Sequence, residues 1–438
     1  MNAMSIVLEN AILLDLAPLG VEFGCLRIEG TTIAARGRTV SREANDKVID
    51  CGGAVVLAGF VNGHTHLYSA LAVGMPPPAQ PPSSFVENLQ RIWWRLDQAL
   101  DAESIEMSAR IGALEALRCG TTTLIDHHAS PNCIDGSLDR VRQGVAGVRL
   151  RGVLCYETTD RHGQAGREAG LAENGRFLES LQAEEMGRFA GLVGAHAAFT
   201  LEDETLGQLG RLAEKHDRGV HIHVAEDPCD EADAVRRGAR LIDRLDRHGL
   251  LRWDSIFAHG THLSPEAIAR VREAGVMVAH NARSNMNNGV GHTPIASYGE
   301  SAMLGTDGIG SDMFAEMKAA WLINRHQHAG LGPSDYLRML GASARRASSA
   351  LSVTLGSLRP GAEADVVITD YVPATPLTGE NAAGHLFFGM DSRHVRDVLI
   401  GGTWAMRDRV VGTCDERGVR AESVKTADGL WRRMSSIP

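Results

Sequence analysis

A (β/α)8 TIM barrel with a small β-sandwich formed by both termini is the fold class this sequence predicts, and three observations predict it. The 438 residues are long for one domain but suit such a barrel with attachments. From Gly59 onward, short apolar runs alternate with long amphipathic stretches, as in a parallel sheet whose crossovers are helices. Outside that region the apolar runs are separated by turns, as in hairpins.

Taken in order, SIVLENAILLDLA, CLRIEGTTIAARG and KVIDCGGAVVLAG read as hairpin strands, so residues 1–57 form the first part of the sandwich. Eight barrel strands follow within residues 58–354: GFVNGHTH, TTLIDHH, RGVLCYE, LVGAHAAF, VHIHVAE, SIFAHG, VMVAHN and SAMLGTDG. Between them ESIEMSARIGALEALRCG, DEADAVRRGARLIDRLDRHG and SPEAIARVREAG read as helices, the first and last stopped by glycine. GSLRPGAEADVVITDY and VRDVLIGGTWAMRDRVVG return to hairpin character in residues 355–416. Residues 417–438 close the chain with a helix.

With 44% hydrophobic and 22% charged residues, the composition is that of an ordinary globular protein, and no apolar tract reaches the length of a membrane span. A net charge of −10 disfavours nucleic acid as partner. The seven cysteines are scattered without CxxC spacing, which argues against a disulfide framework or a Cys-based zinc site. The start MNAMSIVLENAILLDLAP lacks a basic segment ahead of its apolar run. A cytoplasmic protein with a small-molecule partner is expected, with neither nucleic acid nor membrane.

Residues two apart on a strand share a face. His64 and His66 therefore both point into the barrel mouth at the C-terminal end of the first strand, where such barrels keep their active sites. Two imidazoles on one side make a chelate, and burying them together without a metal or acceptors costs free energy. His223 and Glu226 follow at the end of the fifth strand, His259 at the sixth, His280 at the seventh and Asp307 at the eighth. Together they supply N and O donors suited to a divalent ion, with a position left for water. His221 shares the face of His223 one layer deeper, where a hydrogen-bonded role behind the site is expected. His127 and His128 point to opposite sides of their strand and are given no role.

In order and separation, GFVNGHTH, HVAE, AHG and LGTDG resemble the amidohydrolase superfamily, and within it the mononuclear aminohydrolases and chlorohydrolases. WWRLD, IDHHAS, ETTDR, HNARSNMNN and GTDGIG are similar to stretches of the SsnA-type aminohydrolases. The resemblance covers nearly the whole chain. It implies one divalent ion, Zn2+ first with Fe2+ or Mn2+ as alternatives, on His64, His66, His223 and Asp307. Glu226, His259 and Asp307 would then handle protons. It also implies a homo-oligomer, although no stripe of the sequence marks an interface. The two-metal arrangement of dihydroorotase-like members needs a lysine on the fourth strand. Lysine occurs only at positions 47, 215, 318 and 425, and LVGAHAAFT offers His196 instead.

The expected reaction is hydrolytic deamination of a small nitrogen heterocycle. Asp307 and His259 would take the proton of the attacking water, and Glu226 would protonate the ring nitrogen or the leaving group. The alternatives are desulfurisation or another C–N or C–X hydrolysis of a hydantoin- or thiohydantoin-like ring, with or without a carboxylate arm, and a non-catalytic assembly protein on the same fold. For substrate contact the candidates are His196, Arg283, Asn281, Trp93 and Tyr68, followed by Glu157 and Asp312. Arg283 reads either as an anchor for an anionic arm or as a bridge within its own loop. Of Trp93 and Trp94, one is expected in the core.

Overall fold

The structure, a computed structural model, describes residues 5–181 and 187–437; of the expected segments, positions 1–4, 182–186 and 438 lie outside the described residues. All eight expected barrel strands form: Phe60–Thr65, Thr121–His128, Arg151–Tyr156, Val193–Ala197, Val220–Val224, Ile256–His259, Met277–His280 and Ala302–Leu304. They are buried almost throughout, as befits a sheet covered by helices outside and filled by side chains inside. Neighbours pair in parallel in chain order, with Thr123 opposite Arg151 and His223 opposite Ala258. The fourth strand differs from expectation by serving as two short ones. Phe189–Gly191 pairs with the third strand and, past Leu192, Val193–Ala197 pairs with the fifth. Parallel bridges Thr158–Ala195 and Thr65–Asp307 close the two seams of the barrel.

Helix ends follow local chemistry. Ala102–Arg118 begins at a capping box in which Asp101 accepts the Ser104 amide and Ser104 the Asp101 amide, each at 2.9 Å. It stops before Gly120, whose φ of +77° suits glycine. DEADAVRRGARLIDRLDRHG, expected as one helical stretch, forms two helices, Cys229–Arg236 and Leu241–Arg247, because Gly238 turns the chain at φ +81°.

Strands from both termini make one nine-stranded sheet. At its centre Val55–Ala58 pairs in parallel with Ile6–Leu16 and antiparallel with Val366–Thr369. Alternation decides where its faces go. Val56 and Ala58 pack with Leu8, Leu13 and Ile368 in a core of their own, whereas Val55 and Leu57 join the core of the barrel. Arg151, at the start of the third barrel strand, fastens this layer by two bonds to Asp365 at 2.8 and 3.0 Å. The last helix, Glu416–Ser436, holds segments near the barrel mouth: Trp431 donates to the Leu71 carbonyl at 2.9 Å and Arg433 to that of Ala99 at 2.7 Å. No helix among the described residues is long and apolar enough to cross a membrane.

Candidate metal centre

His64 lies in the last turn of the first strand and His66 one residue past it, while Thr65 between them points the other way and donates to the Asp307 carbonyl at 3.1 Å. The next amide, of Leu67, donates to the Asp126 carboxylate at 2.7 Å, which fixes the chain as it leaves the strand. Backbone carbonyls orient two of the imidazoles. His66 Nδ1 donates to the carbonyl of His127 at 2.6 Å, and His223 Nδ1 to that of His196 at 2.8 Å. With those protons placed, the two rings, when neutral, present bare Nε2 lone pairs to each other at 3.1 Å.

Facing lone pairs repel, and a cation between them removes the conflict. Nitrogens on one tetrahedral ion with bonds of ~2.0–2.1 Å lie about 3.3 Å apart, so the spacing fits. Ring nitrogens of His64, His223 and His259 and a carboxylate oxygen of Asp307 lie within 4.8 Å of one another. His66 Nε2 is 2.9 Å from Asp307 Oδ1. His64 Nε2 is buried without a hydrogen-bond partner. A buried, unsatisfied nitrogen aimed into a cluster of donors is what a metal ligand looks like when only the protein is considered. His221, one layer deeper and fully buried, has its Nε2 2.8 Å from His64 Nδ1.

The electrostatics agree. Burial opposes charge on His66, but the carboxylates of Asp307 and Glu157 outweigh it and hold that ring well above its ordinary pKa. Burial likewise opposes charge on Asp307, yet the imidazoles of His64 and His66 beside it keep its carboxyl well below the usual range. The carboxylates thus favour a positive charge at this point, a proton on His66 Nε2 or a metal ion in its place, beside an ionised Asp307.

Three groups that can carry protons surround that point. Glu226 Oε2 lies 3.4 Å from His259 Nε2, which is 3.9 Å from Asp307 Oδ2. Burial, reinforced by the Asp307 charge, pushes Glu226 up to about 7. Asn285 accepts from His259 Nδ1 at 2.8 Å, which leaves His259 Nε2 directed at the two carboxylates. Ser284 donates to Asp307 Oδ2, and Asn288 donates to Glu226 at 3.4 Å. The strand ends turn sharply here: His259 and Asp307 have φ of +76° and +54°.

A cavity opens onto this cluster. Of the residues expected to contact substrate, His196, Trp93 and Tyr68 line it, as do Glu157 and Trp94, and Trp93 also packs against the barrel core. Arg283 and Asn281 do not line it. Arg283 donates to Glu316 at 2.6 Å and to the carbonyls of Ile309 and Gly310, both at 2.7 Å, so the bridge within its own surroundings, not the anionic anchor, describes it. Asn281 sits behind His259, with its Nδ2 3.5 Å from Nδ1 of that ring. Asp312 caps the helix Met313–His326 and takes a bond from Ser392.

Some lining groups escaped the sequence reading. Asp97 is buried in the wall, paired with Arg161 at 3.0 Å, and Arg161 lies 4.5 Å over the Trp94 ring. Burial pushes Asp97 up to about 7. Ser284 and Asn288 lie four apart in the helix Ala282–Asn288 and so share a face. That spacing, within NARSNMNNG, was the available signal.

His280 and His128 lie outside the cluster. Both are buried, and burial holds each near 3 instead of 6.5. As pH falls, the unfolded chain takes up protons first, so the stability these rings contribute is complete above about pH 6.5 and is lost as pH falls toward about 3. Thermal melts on acidification should therefore show a shallower loss in His280→Asn than in the wild type. Parallel Tm curves would remove His280 from the acid response.

Residues 55–405 match the Amidohydrolase family. The chain is 30% identical to 5'-deoxyadenosine deaminase of Methanosarcina mazei, over 98% of this chain and 99% of that protein. It is also 30% identical to 5-methylthioadenosine/S-adenosylhomocysteine deaminase of Thermococcus kodakarensis, over 91% and 93%. Among solved structures, an adenosine deaminase from Xanthomonas campestris with bound zinc superposes with a TM-score of 0.85 at 22% identity, covering 100% of both chains. An atrazine chlorohydrolase from Arthrobacter aurescens complexed with zinc gives 0.81 at 20% identity, over 96% of this chain and 100% of the other.

Proposed function

Since this chain belongs to the Amidohydrolase family, we propose that it hydrolytically deaminates an adenine nucleoside or a closely related heterocycle at a single divalent ion held by His64, His66, His223 and Asp307. The observation that carries this reading is the convergence of those four donors with Glu226 and His259 beside one cavity, which His66, His223, Glu226 and Asp307 line. Zinc is the ion proposed, in line with the zinc bound in solved structures of two proteins of the same fold.

When bound, such an ion supplies a water whose pKa falls from ~15.7 toward ~7 and polarises the carbon under attack. The side chains do the rest. Asp307, held ionised, accepts the proton of the attacking water, and His259 stands close enough to pass it on. Glu226, with a pKa near neutrality, donates a proton to the ring nitrogen beside the attacked carbon and recovers one for the departing amine. Asn285 fixes the His259 tautomer, and Asn288 holds the Glu226 carboxylate. Ring-bearing walls at Tyr68, Trp93 and Trp94 offer stacking surface to a heterocycle.

The test is incubation of the zinc-loaded protein with 5'-deoxyadenosine, 5'-methylthioadenosine and S-adenosylhomocysteine, following ammonia and product mass. Ammonia with the matching inosine-type product supports the reading. Turnover confined to thiohydantoins or chlorotriazines, with sulfide or chloride released, would replace it.

A further inference from the structure

Behind His64 a line of buried polar groups continues inward. His64 Nδ1 is 2.8 Å from His221 Nε2, and His221 Nδ1 is 3.7 Å from Cys155 Sγ. The Cys155 thiol donates to the Asp126 carbonyl at 3.5 Å. His127 stacks on His221 with ring centroids 4.4 Å apart and planes at 22°, and its Nε2 donates to the His221 carbonyl at 3.0 Å. His127, Cys155 and His221 bring potential ligand atoms within 4.8 Å of one another. Both His221 nitrogens and His127 Nε2 are already engaged, so this group serves the hydrogen bonding and not a second ion.

Two imidazoles sharing one hydrogen bond can order it in two ways. If His64 Nδ1–H donates, His221 must carry its own proton on Nδ1, toward Cys155. If His221 Nε2–H donates, His64 must be protonated on Nε2, the nitrogen that faces the metal donors. Cys155 breaks the symmetry. Its proton is directed to the Asp126 carbonyl, so the sulfur presents lone pairs to His221 Nδ1 and favours a proton there.

We propose that Cys155, acting through His221, is a positioning residue that fixes His64 as its Nδ1–H tautomer and leaves Nε2 bare for the divalent ion. This rests on His64 being a ligand, but the tautomer itself can be read without the ion. The experiment is imidazole nitrogen NMR of the metal-free full chain, paired with zinc affinity by chelator competition, in the wild type, Cys155→Ala, Cys155→Ser, His221→Gln and Cys155→Ala/His221→Gln. Wild-type His64 should carry its proton on Nδ1. Cys155→Ala should shift population toward Nε2–H and weaken zinc about tenfold, the lower end for a lost outer partner of a ligand. Cys155→Ser should restore both. The glutamine amide oxygen accepts from His64 without help from Cys155, so in the His221→Gln background Cys155→Ala should add nothing. The proposal is overturned if wild-type His64 is protonated on Nε2, if Cys155→Ala leaves tautomer and affinity unchanged, or if it weakens zinc equally in both backgrounds. Wild-type zinc affinity in His64→Ala would instead overturn the ligand reading beneath it.

Discussion

Alanine at His66 or at Asp307 empties the metal site and lowers turnover by about 10³-fold or more, the size expected when several kcal/mol of charge stabilisation is removed from the barrier. Their donor atoms stand 2.9 Å apart, and His66 Nε2 is 3.1 Å from His223 Nε2, so either substitution removes a donor from the middle of the set. Metal content by elemental analysis and kcat/KM on a deaminated substrate are the two readouts. Full metal content and full activity in either variant would dismiss the proposed centre. His223→Ala should behave like His66→Ala.

Glu226→Gln separates proton transfer from metal binding. The amide keeps the shape and the Asn288 neighbour but can neither hold nor release the proton that a carboxyl near pKa 7 exchanges. Metal content should stay at the wild-type level while kcat falls by about 10²–10⁴-fold, the usual yield of a positioned acid or base. KM should change little. A Glu226→Gln enzyme with wild-type kcat would place proton transfer elsewhere, and loss of metal in this variant would make Glu226 structural.

The barrel was legible because its two periods are local properties of the chain, and each strand carries its own apolar run. The site was legible for a related reason. His64, His66, His223, Glu226, His259 and Asp307 all stand at the same end of the first, fifth, sixth and eighth strands, so once the barrel closes they come together. What the sequence did not disclose depends on partners distant in the chain. Arg283 is a plausible anion anchor until Glu316, thirty-three positions on, takes its guanidinium. Nothing in WWRLD marks Asp97 as part of the cavity wall; Arg161, sixty-four positions on, pairs with it there. Gly238 sits in a convincing helical pattern, and only the direction of the next helix reveals that the chain must turn there.

The left-handed turns at His259 and Asp307 bear on how this protein can change over generations. Few side chains accept φ of +76° or +54°; Asn, Asp and His do so more readily than other types, and Gly most readily of all. Two of the three residues proposed to handle protons therefore belong to the short set the backbone admits, and β-branched replacements are strained at both positions. Glycine would relax either turn, so a search that rewards stability alone drifts toward glycine at 259 and 307, erasing chemistry with each gain. Only selection on turnover keeps a histidine and an aspartate there.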